Sequence, residues 1–149
     1  MDYGLRVCHA VQQMGKKLNV SGGPTARFLI SFLHSIFMKE IARALHRNAN
    51  PEKAAFLPKF FKTGKGQYGE GDQFIGVMVP DTRKVAQKFS HIQLEELEPL
   101  LDSKIHEERL TALLILVEKF KKAKNEGGQK TVVDFYLNHL HGVNNWDLV

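Results

Sequence analysis

Apolar residues recur at three- and four-residue steps along most of the chain, the spacing that gathers them on one face of an α-helix. Between Ala26 and Arg47 the positions Phe28, Leu29, Phe32, Leu33, Ile36, Phe37, Ile41, Ala42 and Leu45 predict one amphipathic helix. Asn48-Ala49-Asn50-Pro51 interrupts it; an asparagine can accept from the free amides that open a helix, and a proline suits the first helical position. A second helix is therefore predicted from Pro51 to Lys62 through Ala54, Ala55, Leu57, Phe60 and Phe61, with a kink or early end at Pro58. A third starts at Pro80 and Asp81 and runs through Val85, Ala86 and Phe89, and a fourth sets Leu94, Leu97, Leu100 and Leu101 on one face. Ser103 to Asn125 is the longest regular segment, with a core stripe of Leu110, Leu113, Leu114, Leu116, Val117 and Phe120 and with Lys119, Lys121, Lys122 and Lys124 in its last turns, where they suit the helix dipole. Gly127-Gly128 reads as its stop. Thr131 to His141 follows as a helix packing Val132, Val133, Phe135, Tyr136 and Leu140, and residues 143–149 read as the opening turn of one more, capped by Asn144 or Asn145.

The one β-like run, Phe74 to Val79, has no partner strand, so the expected fold class is all-α. Helix pairs spaced about 40 residues apart fit an antiparallel HEAT-like array, an α-solenoid. Residues 1–27, broken by Ser21-Gly22-Gly23-Pro24, predict a frayed arm or a short helix.

Composition narrows the class. A chain of 149 residues with 43% hydrophobic and 25% charged residues suits one globular domain. Its net charge of +5 favours polyanions such as nucleic acid or anionic lipid, and serves solubility equally well. A single cysteine, Cys8, excludes an internal disulfide and a thiolate zinc cluster, which fits an intracellular, cytoplasmic protein. No apolar run approaches the roughly 20 residues that cross a bilayer, and no export signal follows Met1, so no membrane partner is expected.

Gly64-Lys65-Gly66-Gln67-Tyr68-Gly69 matches the dinucleotide fingerprint letter for letter, but that motif works where a strand turns into a helix. Here a helical segment precedes the glycines and an apolar run follows them. An interhelical loop whose glycines permit positive φ is the better reading. His106-Glu107-Glu108-Arg109-Leu110 begins like a zincin helix, yet Leu110 stands where the second histidine belongs. His139 and His141 would point about 200° apart on a helix and read as helix-end residues, so no metal site is expected. Glu95-Glu96 and Glu107-Glu108 read as solvated acid pairs, and Arg109 as a structural partner of Asp102 or Glu108. Trp146, the single tryptophan, fills a core on composition; alternatively it offers a π face to a cationic ligand, which calls for a carboxylate close by.

Four stretches, taken in order, carry a resemblance: Asn50 to Ala54, the glycine-rich run from Phe61 to Arg83, Leu101 to Leu114, and Asn145-Trp146-Asp147-Leu148-Val149. Together they resemble the DNA alkylation repair family, the HEAT-like-repeat alkylpurine DNA glycosylases of bacteria. The resemblance covers residues 38–149, the N-terminal part of the family's domain, and leaves 1–37 as an extension outside it. It implies a curved array of helix pairs whose basic face grips duplex DNA, and hydrolysis of the N-glycosidic bond of cationic purines such as 3-methyladenine and 7-methylguanine. It implies no metal or organic cofactor, and a monomer. In the family's Trp-Asp-x-x-Asp pattern the tryptophan corresponds to Trp146 and the first aspartate to Asp147, while the catalytic aspartate falls one residue past Val149. The 149 residues are thus expected to be an inactive fragment. Lys62, Lys65, Arg83 and Lys84 are the expected DNA contacts, with Trp146 at the chemistry. The alternative is a non-catalytic HEAT-like module that binds DNA or protein.

Overall fold

The computed structural model describes residues 38–149; the expected N-terminal arm and the first part of the Ala26–Arg47 helix lie outside the described residues. Within them the regular structure is helical, as the periodicity requires. Helix α1 is described over 38–46 and buries Ile41, Ala44 and Leu45. Helix α2 spans Pro51–Phe60: the Asn50 side chain accepts from Lys53 N, and Pro51 stands at the first helical position. Pro58 lies in the last turn and the helix ends two residues beyond it, close to the expected early stop. No residue of α2 is buried, so Ala55 and Phe60, expected in its core stripe, face outward.

Helix α3 (Val79–Lys88) buries Thr82, Val85 and Ala86. A 3₁₀ turn at Glu95–Leu97 leads into the short α4 (Glu98–Leu101), and together they bury Leu97, Leu100 and Leu101. The central element is α5 (His106–Lys122), against which α3, α4 and α6 pack. Every residue from His106 to Leu116 is buried, so this half of the helix has no solvated face and its expected stripe is incomplete. Val117 and Phe120, placed in that stripe by periodicity, are 44% and 39% exposed because they fall beyond the covered half.

The last helix, α6 (Glu126–Asn138), begins earlier than expected. Gly127-Gly128 does not close α5 but forms the first turn of α6, since Asn125 accepts from Gly128 N and has already set the cap. Val132 is its buried residue, while Val133 and Leu140 are exposed. A 3₁₀ turn at Leu140–Gly142 follows, and residues 143–149 hold no helix: Leu148 N donates to Asn145 O in a turn. Among the described residues the β-like run forms no ladder; the residue just ahead of it, Gln73, makes a parallel bridge with Ile105, in which Gln73 N donates to Lys104 O and His106 N to Gln73 O. Among the described residues no helix is long and apolar enough to cross a membrane.

Candidate functional site

The first turn of α5 brings four polar side chains into the protein interior, and two loops distant in sequence supply most of their partners. Arg109, 4% exposed, donates from Nη1 to Ser103 O at 2.7 Å, and from Nη2 to Asp72 Oδ2 at 2.7 Å and Asn144 Oδ1 at 3.0 Å. The Asn144 amide closes the ring by donating to Asp72 Oδ1 at 3.0 Å. A buried charge is tolerated only when paired and hydrogen-bonded, and here Asp72 and Arg109 compensate one another. Glu107 Oε1 accepts from Ile75 N, Gly76 N and Val77 N at 2.8–3.3 Å, and its Oε2 is also near Ile75 N. Glu108 accepts from Ser103 Oγ. These contacts correct two expectations: Glu107 and Glu108 are buried rather than solvated, and Arg109 pairs with Asp72 rather than with Asp102 or Glu108.

Such close approach constrains the backbone. Gly76 adopts φ +79°, and a Cβ there would lie 2.1 Å from Asn50 O, so only glycine fits between the α1–α2 turn and α5.

His106, 2% exposed, opens α5 and links this network to an aromatic cluster. Its Nδ1 lies 3.4 Å from Asp72 Oδ2 and its Nε2 2.9 Å from Asp147 Oδ2. Its ring packs on Phe61 at 4.9 Å and on Phe74 at 4.8 Å between centroids. Phe61 in turn stacks on Phe74 at 5.2 Å and on Trp146 at 5.8 Å, the latter with rings tilted by 25°. Phe60 meets the Trp146 ring edge-on at 5.9 Å. One side of the indole is thus supported by the phenylalanines, and Trp146 is nevertheless 60% exposed. That overturns the core-filling reading of Trp146. It leaves a supported π face open to solvent, beside the exposed Phe60 of α2, and with the Asp147 carboxylate on the next residue.

The glycine-rich loop does not form a phosphate cradle. Gly64 N donates to Gln67 Oε1 and Gly66 N to Glu70 Oε2, so the loop's own side chains take those amides. Gly66 has φ +77°, as an interhelical loop permits, and Lys62 itself sits at φ 51°. Lys62 and Lys65 are exposed, in the loop that leaves Phe61 and therefore starts at the aromatic cluster. Arg83 and Lys84 are exposed on α3, where Lys84 Nζ is held by Asp81 Oδ1 at 2.8 Å. No hydrogen bond or ion pair joins these two to the aromatic cluster. Beside the polar network a cleft of about 290 Å³ is lined by Asp72, Asp102, Ser103, Lys104, His141 and Asn144, among others.

Sequence reasoning missed Asp72, His106, Phe61 and Phe74 as parts of one site. The signal available was the run His106 to Arg109 directly ahead of a segment apolar on all sides: polar residues opening a fully buried helix require buried partners.

A family model described as DNA alkylation repair enzyme matches residues 41–149. No curated protein and no solved structure matches the chain.

Proposed function

The chain belongs to the DNA alkylation repair enzyme family, and from that premise we propose that it serves a DNA glycosylase reaction on cationic alkylated purines such as 3-methyladenine and 7-methylguanine. The observation that supports this reading is the Trp146 indole, 60% exposed and backed by Phe61 and Phe60. A purine alkylated on a ring nitrogen carries a positive charge and is already a good leaving group. Hydrolysis of its N-glycosidic bond then needs chiefly the stabilisation of an oxocarbenium-like sugar. An open π face provides that stabilisation together with a carboxylate. Asp147, next to Trp146 in the chain, is engaged by His106 through its Oδ2 at 2.9 Å. Trp146 takes the cationic nucleotide, while Lys62, Lys65, Arg83 and Lys84 meet phosphates of duplex DNA. The reading needs no metal or organic cofactor, takes the chain as a monomer, and extends the helix pairs into a HEAT-like array.

The experiment is release of 7-methylguanine from a methylated duplex, scored as alkali-labile abasic sites. Trp146→Ala is expected to lower excision by about tenfold or more, the scale of one lost base–aromatic stack. Undiminished excision would remove the indole from the chemistry. For the 149 residues, duplex affinity falls steeply as salt rises if the four cations contact phosphates; a salt-independent affinity contradicts that assignment. A non-catalytic DNA- or protein-binding module is the second reading, favoured by the engagement of Asp147 with His106, and any abasic product from the 149 residues alone counts against it.

A further inference from the structure

We infer that His106 is the positioning residue of the Trp146 site, fixing the indole through two separate links. The first is a hydrogen bond: Nε2 lies 2.9 Å from Asp147 Oδ2, on the residue next to the tryptophan. The second runs through rings, His106 on Phe61 and Phe61 on Trp146. His106 is itself immobilised, since it opens the buried half of α5, donates its amide to Gln73 O at 2.8 Å and faces Asp72 with its other ring nitrogen. Apart from the edge of Phe60, which meets it directly, the indole has no comparable frame of its own. Regular structure stops at Gly142, and within the turn Trp146 N finds only the Asn145 side chain. Asn144, held by Arg109 and Asp72, and Leu148, 3% exposed, keep the turn attached to the protein. They set where it sits, whereas His106 sets how the indole is aimed. Cutting the histidine link therefore loosens the ring without detaching the segment, and that separates positioning from folding.

The consequence for DNA rests on the reading of Trp146 given above; the positioning itself does not. As the only tryptophan in the sequence, Trp146 reports on itself through intrinsic fluorescence. His106→Phe keeps a ring in the stack and removes the donor, and Asp147→Ala removes the acceptor. Each is expected to raise the acrylamide quenching constant by about twofold or more and to lower emission anisotropy, as for a side chain released to nanosecond motion, with far-UV circular dichroism unchanged. The double variant is expected to go no further, because both changes cut one link. His106→Gln retains a donor but loses the ring of the second link, and is expected to fall between the wild type and His106→Phe. Wild-type quenching in both single variants, or additive effects in the double one, overturns the inference. In a second arm, His106→Phe is expected to weaken binding of a 7-methylguanine duplex while leaving an unmethylated duplex unaffected. A loosened indole with unchanged discrimination overturns the positioning role. Failure of the wild-type chain to bind either duplex instead removes the proposed function, and the fluorescence arm alone then decides whether His106 aims the ring.

Discussion

Glu107 is 2% exposed, and its carboxylate takes the amides of three consecutive residues, Ile75 to Val77. The group is an acceptor throughout, so an amide in its place would turn an N–H toward backbone donors. Glu107→Gln is expected to lower unfolding stability by about 2–4 kcal/mol, the cost of mismatching a buried charge-assisted hydrogen-bond group. Urea denaturation measures it, and a loss below about 0.5 kcal/mol, the level of a surface change, would mean that the carboxylate is not holding the segment. The same residue shows where the sequence stops being informative. Glu107 and Glu108 look like an acid pair on a solvated helix face, because the partners of Glu107 lie about thirty positions away, where local pattern does not register them. Trp146 failed in the opposite direction. Composition favours burial for a large aromatic, but Phe60 and Phe61 support one side of the ring and the rest stays in solvent.

Boundaries between elements were legible where a cap residue stood alone and illegible where two signals competed. Asn50 and Pro51 mark α2 without ambiguity. At the α5–α6 junction, the glycine pair suggested a stop, yet Ala123 has already left helical geometry at ψ 128° and Asn125 starts the next helix. Asn125→Ala is expected to destabilise α6 by about 1 kcal/mol, as loss of an N-cap does, whereas Gly127→Ala leaves that cap bond in place. Thermal melts of the two variants distinguish a cap at Asn125 from a stop at the glycines. On α5, burial holds the Lys119 ammonium below its ordinary value of 10.5, with Glu95 and Glu96 opposing the shift and Lys122 adding to it. The folded chain thus binds that proton less tightly than the unfolded one. The destabilisation is fully present below the folded pKa and is relieved as pH rises toward 10.5. Lys119→Met is accordingly expected to melt higher than wild type at pH 7, with the advantage shrinking as pH approaches 10.5. An advantage independent of pH would assign the gain to packing instead.

For the molecule as a whole, the all-α class follows from periodicity alone, while the packing order around α5 depends on contacts that periodicity cannot rank. Recognition of the family rested on runs of residues rather than on their physics: the glycine-rich stretch that carries much of the resemblance is mostly exposed loop. The seam at its end has a different significance. Residues 72–77 touch the start of α5 through the Gln73–Ile105 bridge and the Glu107 carboxylate, and touch the last turn through Asp72 and Asn144. Three stretches far apart in sequence therefore open together or stay closed together. In heavy water the amides of Gln73, Gly76 and His106 are expected to exchange at one shared free energy close to that of global unfolding, while those of α2, which buries no residue, exchange at a lower one. The seam then marks the limit of a single cooperative unit, with the aromatic face mounted on its edge and α2, bearing Phe56 and Phe60, free to unravel beside it.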